Sequence, residues 1–194
     1  MTGWKTGPVG ELVIVTGPPG AGKSTVASLL AASVSPSVLV EGDRFFGFLA
    51  AGVIPPWLPE SNDQNHVVTE AMALATGRFV SGGYFTVFDG VMGPWFLPTF
   101  IETLGLDASD HAQTVDYVIL MPTVEQCVEH VRDRVEHAFT DEPATRKMHL
   151  EFASAPIDSR HVLVPGSMTA DDVVAEIDAR RRAGSLRLAH PAAM

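Results

Sequence analysis

The stretch GPPGAGKST at residues 17–25 constrains the fold of this chain more than any other feature of its sequence. It matches the pattern G-x-x-x-x-G-K-[ST], whose glycines let successive backbone N–H groups turn inward around a phosphate at the start of a helix. In that arrangement Lys23 reaches the β- and γ-phosphates of a nucleotide, and the Ser24 hydroxyl binds Mg²⁺. The residues predicted to bind the nucleotide are Gly17, Pro18, Pro19, Gly20, Ala21, Gly22, Lys23, Ser24 and Thr25.

The residues on either side of this loop have the patterns that the motif requires. Leu12-Val13-Ile14-Val15-Thr16 is a short apolar run rich in β-branched residues, which is typical of a buried parallel strand. Residues 24–32 combine apolar positions at helical spacing with good helix formers. Strand, loop and helix therefore follow in the required order, which favours a nucleotide-binding loop over a chance glycine-rich turn.

Short apolar runs alternate with longer helical patterns, and this alternation indicates an α/β fold with a parallel sheet covered by helices on both faces. We expect a flexible N-terminus at residues 1–10, one domain at residues 11–182, and a frayed tail at residues 183–194. Further strands are predicted at residues 37–40, 84–88, 116–121 and 161–164. Further helices are predicted at residues 62–78, 94–104, 124 to about 137 and 169–182, with a polar segment at 132–147.

The charge of the chain argues against one class of partner. Its 194 residues carry a formal net charge of −10 at pH 7. An acidic surface repels phosphodiester backbones, so we expect no nucleic-acid partner.

The N-terminal residues contain no apolar signal core, and no apolar run approaches the ~20 residues of a membrane span. The single cysteine, Cys127, is expected in the core, and the expected location is the cytoplasm, without membrane contact.

Acidic residues follow two of the predicted strands, at the sheet edge where ligands bind in an open parallel sheet. Glu41 and Asp43 come after the second strand, and Asp89 ends the third. Asp43 is the candidate base for the proton of a substrate hydroxyl, with Arg44 and Asp89 beside it in a predicted acceptor site. Glu41 or Asp89 is a candidate for holding Mg²⁺ through its water shell. The alternative is that each acid solvates a loop or caps the following helix.

The residue after Asp89 separates two classes of phosphate chemistry. A P-loop ATPase with a mechanical or signalling output often carries a glutamate directly after the acid of its magnesium-site strand, and that glutamate activates water. Here Gly90 stands in its place. This favours phosphoryl transfer to an acceptor over hydrolysis, with a nucleotide-dependent ATPase or switch protein as the alternative.

Two arginines, Arg132 and Arg134, lie at the start of the polar segment at residues 132–147. Mobile arginines supply positive charge to a transferring phosphoryl group when a lid closes over a site. The alternative is a solvated helix face, on which neighbouring acids pair with the arginines. Spacing alone leaves both interpretations open.

With these motifs the chain resembles the small P-loop kinases, a group that includes gluconate kinase, shikimate kinase, chloramphenicol phosphotransferase and the zeta toxins. The resemblance covers most of residues 11–182, and rests on residues 17–25, 41–43 and 120–125 and on the arginines that follow. It implies a five-stranded sheet in the order 2-3-1-4-5, a lid at about residues 132–147, and a nucleotide-base loop near Ser167. It also implies ATP and Mg²⁺ as cofactors and a small metabolite or antibiotic as hydroxyl acceptor. The implied catalytic residues are Lys23, Asp43, Arg132 and Arg134.

The acceptor itself is not predicted by the resemblance. Glu41-Gly42-Asp43 stands where relatives commonly carry D-x-D or G-x-D, and residues 89–93 lack the glycine-rich motif of shikimate kinase. Residues 44–60 and 84–100 are rich in aromatic side chains, which fits either an acceptor with apolar surface or packing in the core. We expect residues 44–60 to form a rigid insert rather than a disordered linker.

Overall fold

Five parallel strands form one sheet in the order β2-β3-β1-β4-β5, in a computed structural model that describes residues 10–106, 113–133 and 140–188. The strands are β1 (Glu11–Thr16), β2 (Ser37–Glu41), β3 (Phe85–Asp89), β4 (Thr114–Leu120) and β5 (Val162–Leu163). The helices are α1 (Lys23–Ala32), α2 (Gly42–Phe46), α3 (Asn62–Ser81), α4 (Leu97–Thr103), α5 (Val124–Arg132), α6 (Glu142–Ser154) and α7 (Ala170–Arg182). The predicted fold class and strand order are confirmed.

Side chains of the central strand β1 alternate between the two faces of the sheet. Val13 and Val15 pack with α1 and α7, whereas Leu12 and Ile14 pack with α3, α4 and the Phe152 side chain of α6. All four strand residues are fully buried, which explains why β1 reads as a continuous apolar run in the sequence.

No helix in the described part of the chain is both long enough and apolar enough to cross a membrane.

Helix α6 occupies part of the segment that the sequence predicted only as polar. It begins after Asp141, whose carboxylate accepts a hydrogen bond from the Ala144 amide at 2.8 Å and so caps the first turn. Few of its side chains are buried, so its apolar periodicity is weak. The preceding helix α5 ends at Arg132, with Asp133 as its C-cap; the predicted extension to about His137 falls on residues 134–139, outside the described residues.

The segment after α7 packs against the sheet. Leu186 is fully buried, and its carbonyl oxygen accepts a hydrogen bond from the Tyr117 amide at 3.0 Å. The Leu188 amide donates to the Val115 carbonyl oxygen at 2.9 Å. The predicted frayed tail is therefore wrong for residues 183–188. The physical reason is that β5 pairs with only the last two residues of β4, which leaves the start of that strand edge for this segment. Residues 189–194 lie outside the described residues.

We expect Arg187→Ala to destabilise the fold by about 2 kcal/mol at neutral pH, because it leaves a buried carboxylate without its cation. Asp116 is fully buried, and Arg187 Nε donates to its Oδ1 at 3.1 Å. The Arg187 side chain is 42% exposed, so the expected loss is smaller than the roughly 3–5 kcal/mol for breaking a fully buried pair. Urea unfolding measures the difference, with the exposed arginine variant Arg182→Ala as the control.

The loss caused by Arg187→Ala should also depend on pH. Burial raises the pKa of Asp116 above its ordinary value, and the hydrogen bond and charge of Arg187 oppose that rise. When folding raises the pKa of a carboxyl group, the folded state loses stability as the pH increases from the pKa of the unfolded chain to that of the folded chain. Removal of the arginine raises the folded-state pKa further and so enlarges this loss of stability. The gap between variant and wild type should therefore narrow in acid, where Asp116 is protonated. An equal gap at neutral and acidic pH would contradict this account.

Candidate active site

The phosphate-binding loop packs against β4 and α5 through two glycines. Gly17 has a φ of 143°, and a Cβ there would lie 2.2 Å from the Leu120 carbonyl oxygen at the end of β4. Gly20 has a φ of 81°, and a Cβ there would lie 2.2 Å from the Cys127 carbonyl oxygen in α5. No side chain fits at either position, so these glycines set how closely the loop approaches its neighbours.

The ammonium group of Lys23 lies against the loop itself. Its Nζ donates to the Pro18 carbonyl oxygen at 3.1 Å, and the residue is only 9% exposed. Gly22 forms the N-cap of α1, and a Cβ there would meet no atom within 4 Å, so the helix start is open on that side. A cation beside an open helix N-terminus is an arrangement that binds phosphate.

His130 supports the loop from α5, a contact that the sequence did not predict. Its Nδ1 lies 2.9 Å from the Gly20 carbonyl oxygen, and because a carbonyl only accepts, Nδ1 carries the proton and donates. The two residues are 110 positions apart, so no local spacing signals the contact. Cys127, one turn earlier, is buried, and burial raises the pKa of its thiol to about 11, which suits packing rather than nucleophilic chemistry.

The predicted acids meet at the carboxyl edge of the sheet. Glu41 ends β2 and is in register with Asp89, which ends β3 and is itself in register with Val15 of β1. Asp43 lies in the first turn of α2 and is exposed. A Cβ on Gly42 would lie 3.2 Å from the Asp89 carbonyl oxygen, so the turn from β2 into α2 passes close to the end of β3.

Asp89 connects the phosphate loop to the acids that follow β2. It is 7% exposed, and its Oδ1 has no hydrogen-bond partner among the described residues. Burial raises the pKa of Asp89 above its ordinary value, Lys23 and a hydrogen bond with Ser24 lower it, and Asp43 and Glu41 raise it. Four predicted site residues therefore act on this one carboxyl group.

Arg44, predicted beside the acceptor, forms an ion pair with Glu41. Both side chains are exposed, and the two residues are one helical turn apart. Such a surface pair contributes little stability, on the order of 0–1 kcal/mol. Its effect at the site is on charge, since the arginine neutralises Glu41 while Asp43 has no ion-pair partner within the described chain.

The loop that follows β3 is tied to the two strands beside it. The Met92 amide donates to the Thr16 hydroxyl at 2.8 Å, and the buried Tyr117 hydroxyl donates to the Met92 carbonyl oxygen at 2.8 Å. Thr16 ends β1 directly before the phosphate loop. The loop after Asp89 therefore has a fixed position relative to the phosphate loop, through contacts that the sequence did not predict.

Arginines from two helices share one carboxylate in the predicted lid. Arg132 Nη2, at the end of α5, lies 3.1 Å from Glu142 Oε2, and Arg146 Nη2, one turn into α6, lies 3.0 Å from Glu142 Oε1. All three side chains are exposed. The arginine partner is therefore an acid on the next helix rather than one on α5. Arg134 lies outside the described residues.

Two further residues, the predicted Ser167 and His149, which was not predicted, lie at the same edge of the sheet. Ser167 is exposed in a turn after β5, in which the Met168 amide donates to the Pro165 carbonyl oxygen at 2.9 Å. His149 of α6 places Nε2 2.9 Å from the Pro122 carbonyl oxygen after β4. No three His, Cys, Asp or Glu side chains of the described ranges converge as a group that would hold a metal without other ligands.

Comparisons with known proteins agree with this geometry. A family model described as an AAA domain matches residues 6–72, which include the phosphate loop and the acids after β2. No curated protein matches the sequence. The tunicamycin resistance protein of Deinococcus radiodurans superposes with a TM-score of 0.64 at 15% identity, over 89% of this chain and 95% of that protein.

Two further structures are similar over most of their length. The APS kinase of Mycobacterium tuberculosis, in complex with AMPPNP and APS, has a TM-score of 0.63 at 15% identity, over 91% of this chain and 99% of that one. A gluconokinase from Sinorhizobium meliloti 1021 has a TM-score of 0.60 at 16% identity, over 91% of this chain and 94% of that one.

The chain has the fold of the small P-loop kinases. Because the sequence identities are low, the similarity is one of fold. A shared fold does not by itself assign an acceptor. The chemistry of the site has to be argued from this chain's own residues at the carboxyl edge of the sheet.

Proposed function

We propose that the protein is an ATP-dependent kinase that moves the γ-phosphoryl group to a hydroxyl of a small metabolite or antibiotic. The observation that carries this proposal is the position of Asp89. This buried carboxyl group is hydrogen-bonded to Ser24 of the phosphate loop and is acted on by the charges of Lys23 and Asp43. A phosphate-binding group and a candidate base are thus both close enough to act on this carboxyl group, which supports transfer to an acceptor.

The residues present fit ATP and Mg²⁺. The loop amides and Lys23 would hold the phosphates, and the turn containing Ser167 lies at the edge where the nucleotide base would bind. Ser24 and Asp89 would hold Mg²⁺, because the unpartnered Oδ1 of Asp89 offers a carboxylate oxygen beside the Ser24 hydroxyl, whereas Glu41 is paired with Arg44. When bound, the metal neutralises charge that develops between the phosphates.

Asp43 is proposed as the base. Its exposed carboxylate would accept the proton of the acceptor hydroxyl while that oxygen bonds to the γ-phosphorus and the bond to ADP breaks. Gly90 offers no second acid next to Asp89 for activating water. Both features support transfer to an acceptor over hydrolysis.

Arg132 and Arg146 are proposed to supply positive charge to the transferring group, with Arg134 a candidate from the sequence alone. Their pairs with Glu142 are exposed and therefore weak, so a bound phosphate can compete for them. We expect Arg132→Ala and Arg146→Ala each to lower turnover at least about tenfold and to weaken ATP binding with it, because lid closure and charge stabilisation are coupled. Steady-state kinetics measure this, with Arg160→Ala as a matched surface control; a loss no larger than the control's would favour the solvated-face interpretation.

The test of the proposed function is acceptor-stimulated ADP release. The purified chain is supplied with ATP and Mg²⁺ and a panel of hydroxyl-bearing metabolites and antibiotics, with product detected by mass spectrometry. At least one compound should raise ADP release and appear phosphorylated. A single-stranded RNA in the same panel tests the expectation, drawn from charge, that nucleic acid is not the acceptor.

A P-loop ATPase with a conformational or binding output is the second candidate, and the match of residues 6–72 to an AAA domain supports it. The two functions differ in their need for an acceptor. Rapid ATP hydrolysis that no hydroxyl compound alters would favour the ATPase and count against the kinase.

A further inference from the structure

The chain between α2 and α3 is held in place by polar contacts to its backbone. The Gln64 side chain accepts a hydrogen bond from the Ile54 amide at 2.9 Å and donates to the Ile54 carbonyl oxygen at 2.8 Å. Asn65 Nδ2 and Ser61 Oγ donate to the Pro56 carbonyl oxygen at 2.8 and 2.9 Å. The insert that the sequence predicted as rigid is thus ordered by side chains at the start of α3.

Apolar side chains remain exposed on this ordered backbone. Phe48, five residues beyond Asp43, is 75% exposed and meets the Phe45 ring at a centroid distance of 5.4 Å. Val53 and Leu58 are exposed as well. Phe48 is held by the Phe45 ring and by a hydrogen bond from its amide to the Phe45 carbonyl oxygen, and the Leu58 amide donates to the Pro55 carbonyl oxygen. Both side chains can therefore pack against apolar surface at little further entropic cost.

A second aromatic side chain stands on the loop after Asp89. The Trp95 indole lies across Gly93, where a Cβ would come within 2.3 Å of the ring, and contacts the Phe152 ring at a centroid distance of 5.1 Å. It is fixed by these neighbours and is still exposed. Exposed aromatic rings therefore follow each of the two carboxylates at the proposed acceptor site.

Charge restricts what can bind beside these rings. Within residues 41–66 and 89–96, which we call the acceptor-side segments, Arg44 is the single arginine and there is no lysine. That arginine is paired with Glu41. The acids of the acceptor-side segments are Glu41, Asp43, Glu60, Asp63 and Asp89. Carboxylates and phosphates are recognised by arginine or lysine donors, and the one such donor in these segments is already neutralised.

The unpartnered oxygen of Asp89 points to a ligand independently of this charge pattern. Asp89 begins the second acceptor-side segment, in register with Glu41 of the first, and is more than nine-tenths buried. No described group satisfies its Oδ1. A buried carboxylate oxygen without a partner is costly and is satisfied by a cation or a hydrogen-bond donor. In the proposed function that partner is Mg²⁺, so this oxygen indicates that the phosphates of the nucleotide are held beside the acceptor-side segments.

We infer that the acceptor is a neutral or cationic hydroxyl compound that carries an apolar ring, and that anionic compounds such as sugar acids are excluded. The inference rests on the proposed function, since it names the class of compound that would receive the phosphoryl group. The ring packs on Phe48 and Trp95, and the hydroxyl reaches Asp43. Donors or positive charge on the compound face the acids of the acceptor-side segments other than Asp89, which is proposed to hold Mg²⁺.

Three probes with the same ring and different charge test this inference. Phenylalaninol carries an ammonium group, phenyllactate a carboxylate and phenylpropanediol neither, and all three have a hydroxyl. Dissociation constants are measured by ligand-observed NMR on the full chain with Mg²⁺ and a non-hydrolysable ATP analogue. We expect phenylalaninol and phenylpropanediol to bind at least about tenfold more tightly than phenyllactate, with the gap between the charged probes shrinking at high salt.

Substitutions at the two rings test the apolar contact. Phe48→Ser and Trp95→Ser should weaken binding of both favoured probes severalfold, whereas Leu74→Ser, at an exposed leucine of α3, should not. Equal or tighter binding of phenyllactate, binding unchanged by both ring substitutions, or no binding of any probe would overturn the inference.

Parallel ADP-release assays separate this inference from the proposed function. Preferred binding of the cationic and neutral probes without phosphorylation of any acceptor would keep the inference about the site and contradict the kinase. Phosphorylation of sugar acids in preference to uncharged or cationic alcohols would keep the kinase and contradict the inference.

Discussion

Replacing Lys23 by alanine is expected to lower phosphoryl transfer by about 10³-fold or more and to weaken ATP binding, while the fold persists. The ammonium group lies against the Pro18 carbonyl oxygen within the phosphate loop, so its loss removes charge from the phosphate site and little from the apolar core. Calorimetric titration with ATP and acceptor-stimulated ADP release measure the two effects, and the thermal midpoint reports the fold.

The control for Lys23→Ala is Arg182→Ala, which changes net charge equally at the far end of α7. It should leave affinity and turnover within about twofold, since an exposed charge distant from the site is screened by salt. Unchanged nucleotide affinity and turnover in Lys23→Ala would reject nucleotide binding at this loop.

Asp43→Asn should lower transfer by about 10²–10⁴-fold and leave ATP affinity nearly intact. Asparagine keeps the size and hydrogen bonding of the side chain but cannot accept the acceptor's proton. Because Asp43 is exposed in the first turn of α2, the change should have little effect on stability. Asp171→Asn is the matched control, because Asp171 is an exposed acid in the first turn of α7.

The result for Asp43→Asn distinguishes a base from a positioning group. Phosphoryl transfer often passes through a loose transition state that needs positioning more than proton removal. A base predicts a fall in kcat with the KM for ATP unchanged. Near-normal transfer would assign Asp43 to positioning the acceptor.

The parts of this fold that could be predicted are those encoded by neighbouring residues. The phosphate loop is a contiguous motif, and β1 is an apolar run directly before it, so local pattern was sufficient. The start of α7 is also encoded by neighbouring residues, since Thr169 and Asp172, three residues apart, form a capping box. The strand order was predicted from the resemblance, and the observed topology confirms that order.

The parts that were missed depend on residues far apart in the chain. His130 reaches Gly20, and Met92 reaches Thr16, through hydrogen bonds that no spacing rule anticipates. The segment around Leu186 has a composition typical of a frayed end and becomes ordered only because β4 has an open edge. The sequence also could not decide whether the aromatic residues at 44–60 and 84–100 face a ligand or pack in the core. That distinction requires the exposed fraction of each side chain, which depends on the fold.

The attachment of α5 to the phosphate loop limits where the proposed lid could hinge. The Cys127 backbone touches Gly20 too closely to admit a Cβ, and His130 holds the carbonyl of that same glycine, so most of α5 moves with the loop. Arg132 is two residues beyond His130, so its backbone is carried with the loop. Arg146 stands on α6 and travels with that helix. Because Glu142 of α6 pairs with both arginines, a movement of α6 would carry Arg146 and Glu142 together and break the pair with Arg132. Under the proposed function, the loss of each arginine should therefore slow a different step of the cycle.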